Sequence, residues 1–142
     1  MMNKDYFEGI LQLRNPTEEL LDCVEKEITK KGDVSIAKAK KIKNGIDFYM
    51  SSQRFLRSLG NKLQERFPGN MEISKKLHTK HRQTSKEVYR VNVLFRMPQF
   101  KKGDIIEYKG EEVKIMGMSK KVFAKELKTG KKLTLKYKDL IE

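Results

Sequence analysis

Between residues 6 and 14 the chain places Phe7, Leu11 and Leu13 on one side of an extended backbone and Glu8, Gln12 and Arg14 mostly on the other, the period of a half-buried strand. Asn15 is then placed to cap a helix, Pro16 suits its first position, and Glu18 sits where a capping box wants an acid. Leu20, Leu21, Val24 and Ile28 follow at helical spacing. Lys30 and Lys31 suit the negative end of the dipole, and Gly32 suits a left-handed close, so a helix is predicted over 16–31. Two further extended runs, 34–43 and 46–50, flank Asn44-Gly45, a strong hairpin signal because both residues accept positive φ. A second helix begins after Ser51 or Ser52, carries Phe55, Leu56, Leu59, Leu63 and Phe67 on one face, and stops at Pro68-Gly69. Residues 71–77 read as a strand. A polar stretch then leads into a clean alternation over 88–96, with Tyr89, Val91, Val93 and Phe95 against Arg90, Asn92 and Arg96.

The order β-α-β-β-α-β-β predicts an α+β fold: one antiparallel-rich sheet with two helices on one face and the other face partly exposed. Strand order does not follow from the pattern. Pro98 ends it, and four short apolar runs come after Gly103-Asp104: 105–108, 113–118, 122–127 and 133–137. Lys109-Gly110, Ser119-Lys120 and Thr129-Gly130 punctuate them, the spacing of a small all-β SH3-like barrel. Two domains are therefore expected, 1–98 and 99–142. The second has so thin a core that it should lean on the first.

Charge narrows the range of partners. Thirty-two Lys and Arg against nineteen Asp and Glu give +13, divided as +8 over residues 1–98 and +5 over 99–142. A surplus carried by both segments repels itself and is relieved by a polyanion that spans them, which favours nucleic acid over an anionic membrane surface or simple solubility. Cys23 is the only cysteine, so an intramolecular disulfide and a thiolate zinc cluster are excluded and the cytoplasm is the expected compartment. No stretch has the roughly twenty apolar residues of a membrane span.

Several basic groups stand out as RNA-binding candidates. Lys75, Lys76, Lys80, Arg82, Lys86 and Arg90 lie between Ser74 and Arg90 with a single acid, Glu87, as suits a hairpin tip that threads along RNA and orders on contact. The competing reading is a solvated loop. Arg54, Arg57, Lys62 and Arg66 share the outer arc of the second helix, though every amphipathic helix needs a polar side. Lys101-Lys102, Lys120-Lys121 and Lys131-Lys132 fall near loop ends of the expected barrel. Lys38, Lys40, Lys41 and Lys43 serve equally well to block edge pairing. Of Tyr6, Phe7, Phe48, Tyr49, Tyr89, Phe95, Phe100, Tyr108, Phe123 and Tyr137, most fit core positions better than base-stacking ones.

Catalysis and metal binding find little support. His78 and His81 are the only histidines, too few with one cysteine for a usual ligand set. Cys23 falls among apolar helix residues, and Lys128-Thr129-Gly130-Lys131-Lys132 reads as a hairpin turn, not a phosphate loop. No cofactor and no enzymatic activity are expected.

Four segments, in this order, carry a family resemblance: Tyr-Phe-Glu-Gly-Ile-Leu-Gln-Leu-Arg at 6–14, Asn-Gly-Ile-Asp-Phe-Tyr-Met-Ser-Ser at 44–52, Ser-Lys-Lys-Leu at 74–77, and Tyr-Arg-Val-Asn-Val-Leu-Phe-Arg-Met-Pro-Gln-Phe-Lys-Lys-Gly-Asp at 89–104. They resemble the archaeal branch of the nonsense-mediated-decay-three family, whose eukaryotic members are export adaptors of the large ribosomal subunit. The resemblance implies a module like a large-subunit ribosomal protein, then one like the SH3-like N-terminal domain of the hypusine-bearing elongation factor, and hence a position near the tRNA exit site. It gives no reason to assign a modified lysine. The family's cysteine-rich zinc module does not precede Tyr6, so a shortened form or a separate zinc-binding chain is expected, and nuclear export is not implied.

The reading that follows is a non-catalytic, monomeric factor that binds ribosomal RNA on the large subunit during late assembly or quality control. The alternative is a protein-interaction scaffold for another assembly factor, its basic surface serving solubility. An RNA-processing enzyme has no convergent catalytic group behind it.

Overall fold

A computed structural model describes residues 6–80 and 87–140, with side chains undescribed for 77–80, 87 and 88. The elements are β1 (Gly9–Arg14), α1 (Glu18–Lys31), β2 (Ile36–Ile42), β3 (Gly45–Met50), α2 (Gln53–Arg66), β4 (Asn70–Lys80), β5 (Glu87–Arg96), β6 (Ile105–Tyr108), β7 (Glu111–Met118), β8 (Val122–Glu126), β9 (Lys132–Leu135) and α3 (Tyr137–Leu140). They form an α+β structure with two sheets. The first is five-stranded in the order β2-β3-β1-β5-β4, and the second is four-stranded in the order β6-β7-β8-β9.

In the first sheet β1 is central. It pairs antiparallel with β3 and parallel with β5, so Leu11 and Leu13 stand beside Val93 and Phe95. All four are fully buried beneath Leu56, Leu59 and Leu63 of α2 and Leu20 and Val24 of α1, so both helices cover the same face. Burying each of those leucines contributes about 1.5–3 kcal/mol, more than the roughly 1 kcal/mol from a single cap. Packing therefore holds α2, with Ser52 accepting from Phe55 N–H as its cap. Gly60 lets α2 sit close to β5: a Cβ there would lie 2.9 Å from Val93 Cγ1 and 3.2 Å from Met71 Sδ.

Three local expectations shift. Thr17, not Asn15, caps α1, its hydroxyl accepting from Leu20 N–H at 3.2 Å, while Asn15 adopts φ 52 and donates its amide to the Met97 carbonyl. In the β2–β3 hairpin Ile42 pairs with Gly45, leaving Lys43-Asn44 as the turn. Gly45 has no positive φ; it is needed because a Cβ would fall 1.8 Å from the Leu13 carbonyl oxygen of β1. The polar stretch expected to interrupt the β4–β5 hairpin is also shorter, since pairing continues to Lys80 opposite Glu87.

The second sheet is an antiparallel meander. Val113, Ile115, Val122, Ala124, Leu135 and Tyr137 make its core. Lys109 and Gly110 both take positive φ in the β6–β7 turn, the requirement of a tight two-residue hairpin. Tyr137 begins α3 instead of ending a strand. Burial pushes its hydroxyl pKa up to about 12, and the group donates to the Ser119 carbonyl at 2.6 Å.

Candidate nucleic-acid interface

Because both helices cover one side of the five-stranded sheet, alternate residues of every strand are left on the other. Register puts Lys38, Tyr49, Ile10, Asn92 and Ser74 in one row across it. Lys40, Asp47, Gln12, Leu94 and Glu72 form the next, then Ile42, Gly45, Arg14, Arg96 and Asn70. Lys76 and Arg90 lie opposite each other beyond Ser74 and Asn92. Among the described residues of these rows, Lys38, Lys40, Arg14, Arg90, Arg96 and Lys76 thus share a face with only Asp47 and Glu72 as carboxylates.

Aromatic groups interleave with these cations. The Arg90 guanidinium lies 3.8 Å from the Phe7 ring centroid, Phe7 meets Tyr49 edge-on at 4.9 Å, and Lys38 Nζ is 5.7 Å from the Tyr49 ring. Cation–aromatic contacts of this kind hold the charges in place while leaving their outer sides to solvent. Phe7 does not lie with Leu11 and Leu13 as alternation predicts. β1 begins only at Gly9, and the preceding residues are free to bring Phe7 to Tyr49 on the opposite side.

Where the first sheet meets the second, a cleft of about 910 Å³ opens between the ends of β1 and β5, the β2–β3 turn and the start of β6. Arg14, Lys43 and Arg96 line it, with Asn15, Asn44 and Gln99 as hydrogen-bonding groups and Phe100 and Ile105 as apolar ones. Arg14 bridges to Asp47 at 2.7 Å. Asp104, the one acid among the described residues of the lining, accepts from the Lys101 N–H at 2.8 Å.

The candidates read from sequence are dispersed. On α2, Arg54 is exposed and Arg57 half-buried. Lys62, half-buried, and Arg66, exposed, both reach across to Glu27 of α1, at 2.8 and 3.4 Å. Glu27 is 8% exposed, and the Lys62 hydrogen bond, with the charges of Lys62, Arg66 and Lys30, holds its carboxyl below the usual range against the effect of burial. Arg66 also donates to Cys23 Sγ at 3.4 Å, so that half-buried thiol sits beside a cation as well as apolar neighbours. Lys75 and Lys76 are exposed on β4, whereas Arg90 is half-buried against Phe7. Arg82, Lys86 and His81 lie outside the described residues, as do the side chains of Lys80 and His78.

In the second sheet Lys101, Lys102, Lys120, Lys121, Lys131 and Lys132 are all exposed. They do not form one cluster. Lys120-Lys121 and Lys131-Lys132 occupy consecutive turns of the meander, at opposite ends of β8, roughly 15 Å apart at strand rise. Sequence reasoning missed Lys114 and Lys125, which stand opposite each other on β7 and β8. Only pairing register brings them together. Among the described residues no group of three or more His, Cys, Asp or Glu side chains converges, and no helix is long and apolar enough to cross a membrane.

The family model for NMD3, second domain, matches residues 6–97, which take in both covering helices and all five strands of the first sheet. The chain belongs to the NMD3 family. Membership is consistent with a ribosome-associated factor. The match ends where the linker into the second sheet begins, so the basic open face and the cleft's Arg14, Lys43 and Arg96 fall inside it. No curated protein matches the sequence.

Proposed function

We propose that this chain is a non-catalytic, cytoplasmic, ribosomal-RNA-binding factor that docks as a monomer on the large ribosomal subunit during late assembly or quality control. The observation that carries the proposal is the open face of the five-stranded sheet. There Lys38 of β2 and Arg90 of β5 are held by aromatic rings and Arg14 of β1 by an ion pair, and with Lys76 of β4 they share a face that runs toward the cleft lined by Arg14, Lys43 and Arg96. Cations held in place by rings and strands lose little freedom on meeting phosphate, which favours a fixed polyanion such as folded RNA. Membership of the NMD3 family favours the large subunit as its source. Under this reading residues 1–98 and 99–142 are separate domains. The second is an SH3-like barrel that reaches toward the tRNA exit site.

Co-sedimentation of the full chain with separated large and small subunits tests the proposal. Selective recovery with the large subunit, lost when Lys38 and Lys40 are changed to Glu, is the expected result. Equal recovery with both subunits, or retention by the charge-reversed chain, favours instead a protein-interaction scaffold whose basic surface only aids solubility.

A further inference from the structure

We propose that the outer face of the four-stranded sheet is a platform for unpaired RNA, with bases stacking on Phe123 and backbone phosphates lying along a row of lysines. The inference rests on the RNA-binding reading and adds to it a second face and a preference for single strands. Register sets Lys114 opposite Lys125 and Lys125 opposite Lys132, so three lysines stand side by side on neighbouring strands whose backbones lie about 4.8 Å apart. Like charges directly opposite destabilise a sheet, and among the described residues none of the three is in an ion pair. The next row repeats the segregation, with Glu107 opposite Glu112. A face arranged for stability alone would pair lysine with glutamate across strands. This one leaves an uncompensated positive row, which is relieved when phosphates replace its counterions.

On the other side of that row Phe123 is 46% exposed. Its cross-strand neighbours are Gly117 and Thr134, one without a side chain and one small, so the ring is not walled in. The ring lies 4.0 Å from where a Gly117 Cβ would stand. An open aromatic ring beside a lysine row suits a strand whose bases are unstacked, because a duplex keeps its base faces to itself. Ile105, 57% exposed, ends the row opposite Lys114 and also lines the cleft that holds Arg14, Lys43 and Arg96. An RNA strand leaving the platform at that edge arrives at those cations.

Fluorescence anisotropy of the full chain with labelled oligouridylate, and with an RNA duplex, tests the platform. Lys114→Gln/Lys125→Gln should weaken oligouridylate binding and lower the slope of log affinity against log salt by about 1.4, at roughly 0.7 per phosphate contact on a single strand. The same variant should melt at a higher temperature than the parent, since opposed charges are removed. Phe123→Leu should cost about ten-fold for oligouridylate and leave duplex binding unchanged. If the parent chain binds oligouridylate and Lys114→Gln/Lys125→Gln binds it as tightly with the same slope, the platform is overturned. Failure of the parent chain to bind oligouridylate while it still sediments with large subunits overturns the platform alone. Failure of both measurements overturns the RNA-binding reading itself.

Discussion

The two sheets are both basic, but they treat their cations differently. In the first, charge is held in place: Arg14 by Asp47, Arg90 by the Phe7 ring, and Lys62 and Arg66 by Glu27 across two helices. In the second, among the described residues, Lys109 lies over the Tyr108 ring, but no lysine is in an ion pair, and three are set against one another across strands. The first sheet can therefore keep its charges on a large core of its own. The second carries them on a core of only Val113, Ile115, Val122, Ala124, Leu135 and Tyr137, where each repulsion is a larger share of the stability. Positive charge in a sequence is thus not one quantity: some of it holds the fold together, and some works against it until a polyanion arrives.

Changes that break this contrast should have graded effects. Ile115→Ala removes the centre of the smaller core, a loss of about 2–5 kcal/mol. Native-state hydrogen exchange should then show protection lost over 105–135 and kept over 9–96; uniform loss would mean that the two sheets unfold as one. Gly60→Ala comes next. It gains about 1 kcal/mol of helix propensity but forces a Cβ to within 2.9 Å of Val93, an overpacking cost of about 1–3 kcal/mol, so denaturant titration should show net destabilisation.

Glu27 supplies a pH signature confined to the first sheet's helices. Its folded pKa lies below the ordinary value of 4.5, so its contribution is fully present above that value and is lost as pH falls through the folded pKa. Thermal melts from neutral pH into that acid range should show a decline that is shallower in Glu27→Gln. The smallest effect separates occupied from available charge on one helix. Arg54→Gln should weaken RNA binding slightly and lower its salt slope, whereas Lys62→Gln, already engaged by Glu27, should leave the slope close to that of the parent.

Much of the fold was legible because its signals are local. The leucines of α2 at helical spacing, Gly32 closing α1 at φ 80, the alternation of β5, and Lys109-Gly110 turning β6 into β7 all act within a few residues. What escaped was long-range. Nothing near Leu11 says that its parallel neighbour is Val93, because a period of two is the same for every partner strand. For the same reason Lys114, Lys125 and Lys132 looked unrelated until register aligned them. Glu27 lies far from Lys62 and Arg66 along the chain, so α2's basic arc read as solvent-facing when half of it turns to α1.

If cations of both sheets meet one polyanion, the salt dependence of large-subunit binding for the parent chain, Lys38→Gln/Lys40→Gln and Lys114→Gln/Lys125→Gln will report it. Each pair of substitutions should lower the slope of log affinity against log salt, by up to about 1.8 for Lys38 and Lys40 on duplex phosphates and about 1.4 for Lys114 and Lys125 on an unpaired strand. A parent slope near zero, or a slope that either pair leaves unchanged, would contradict it.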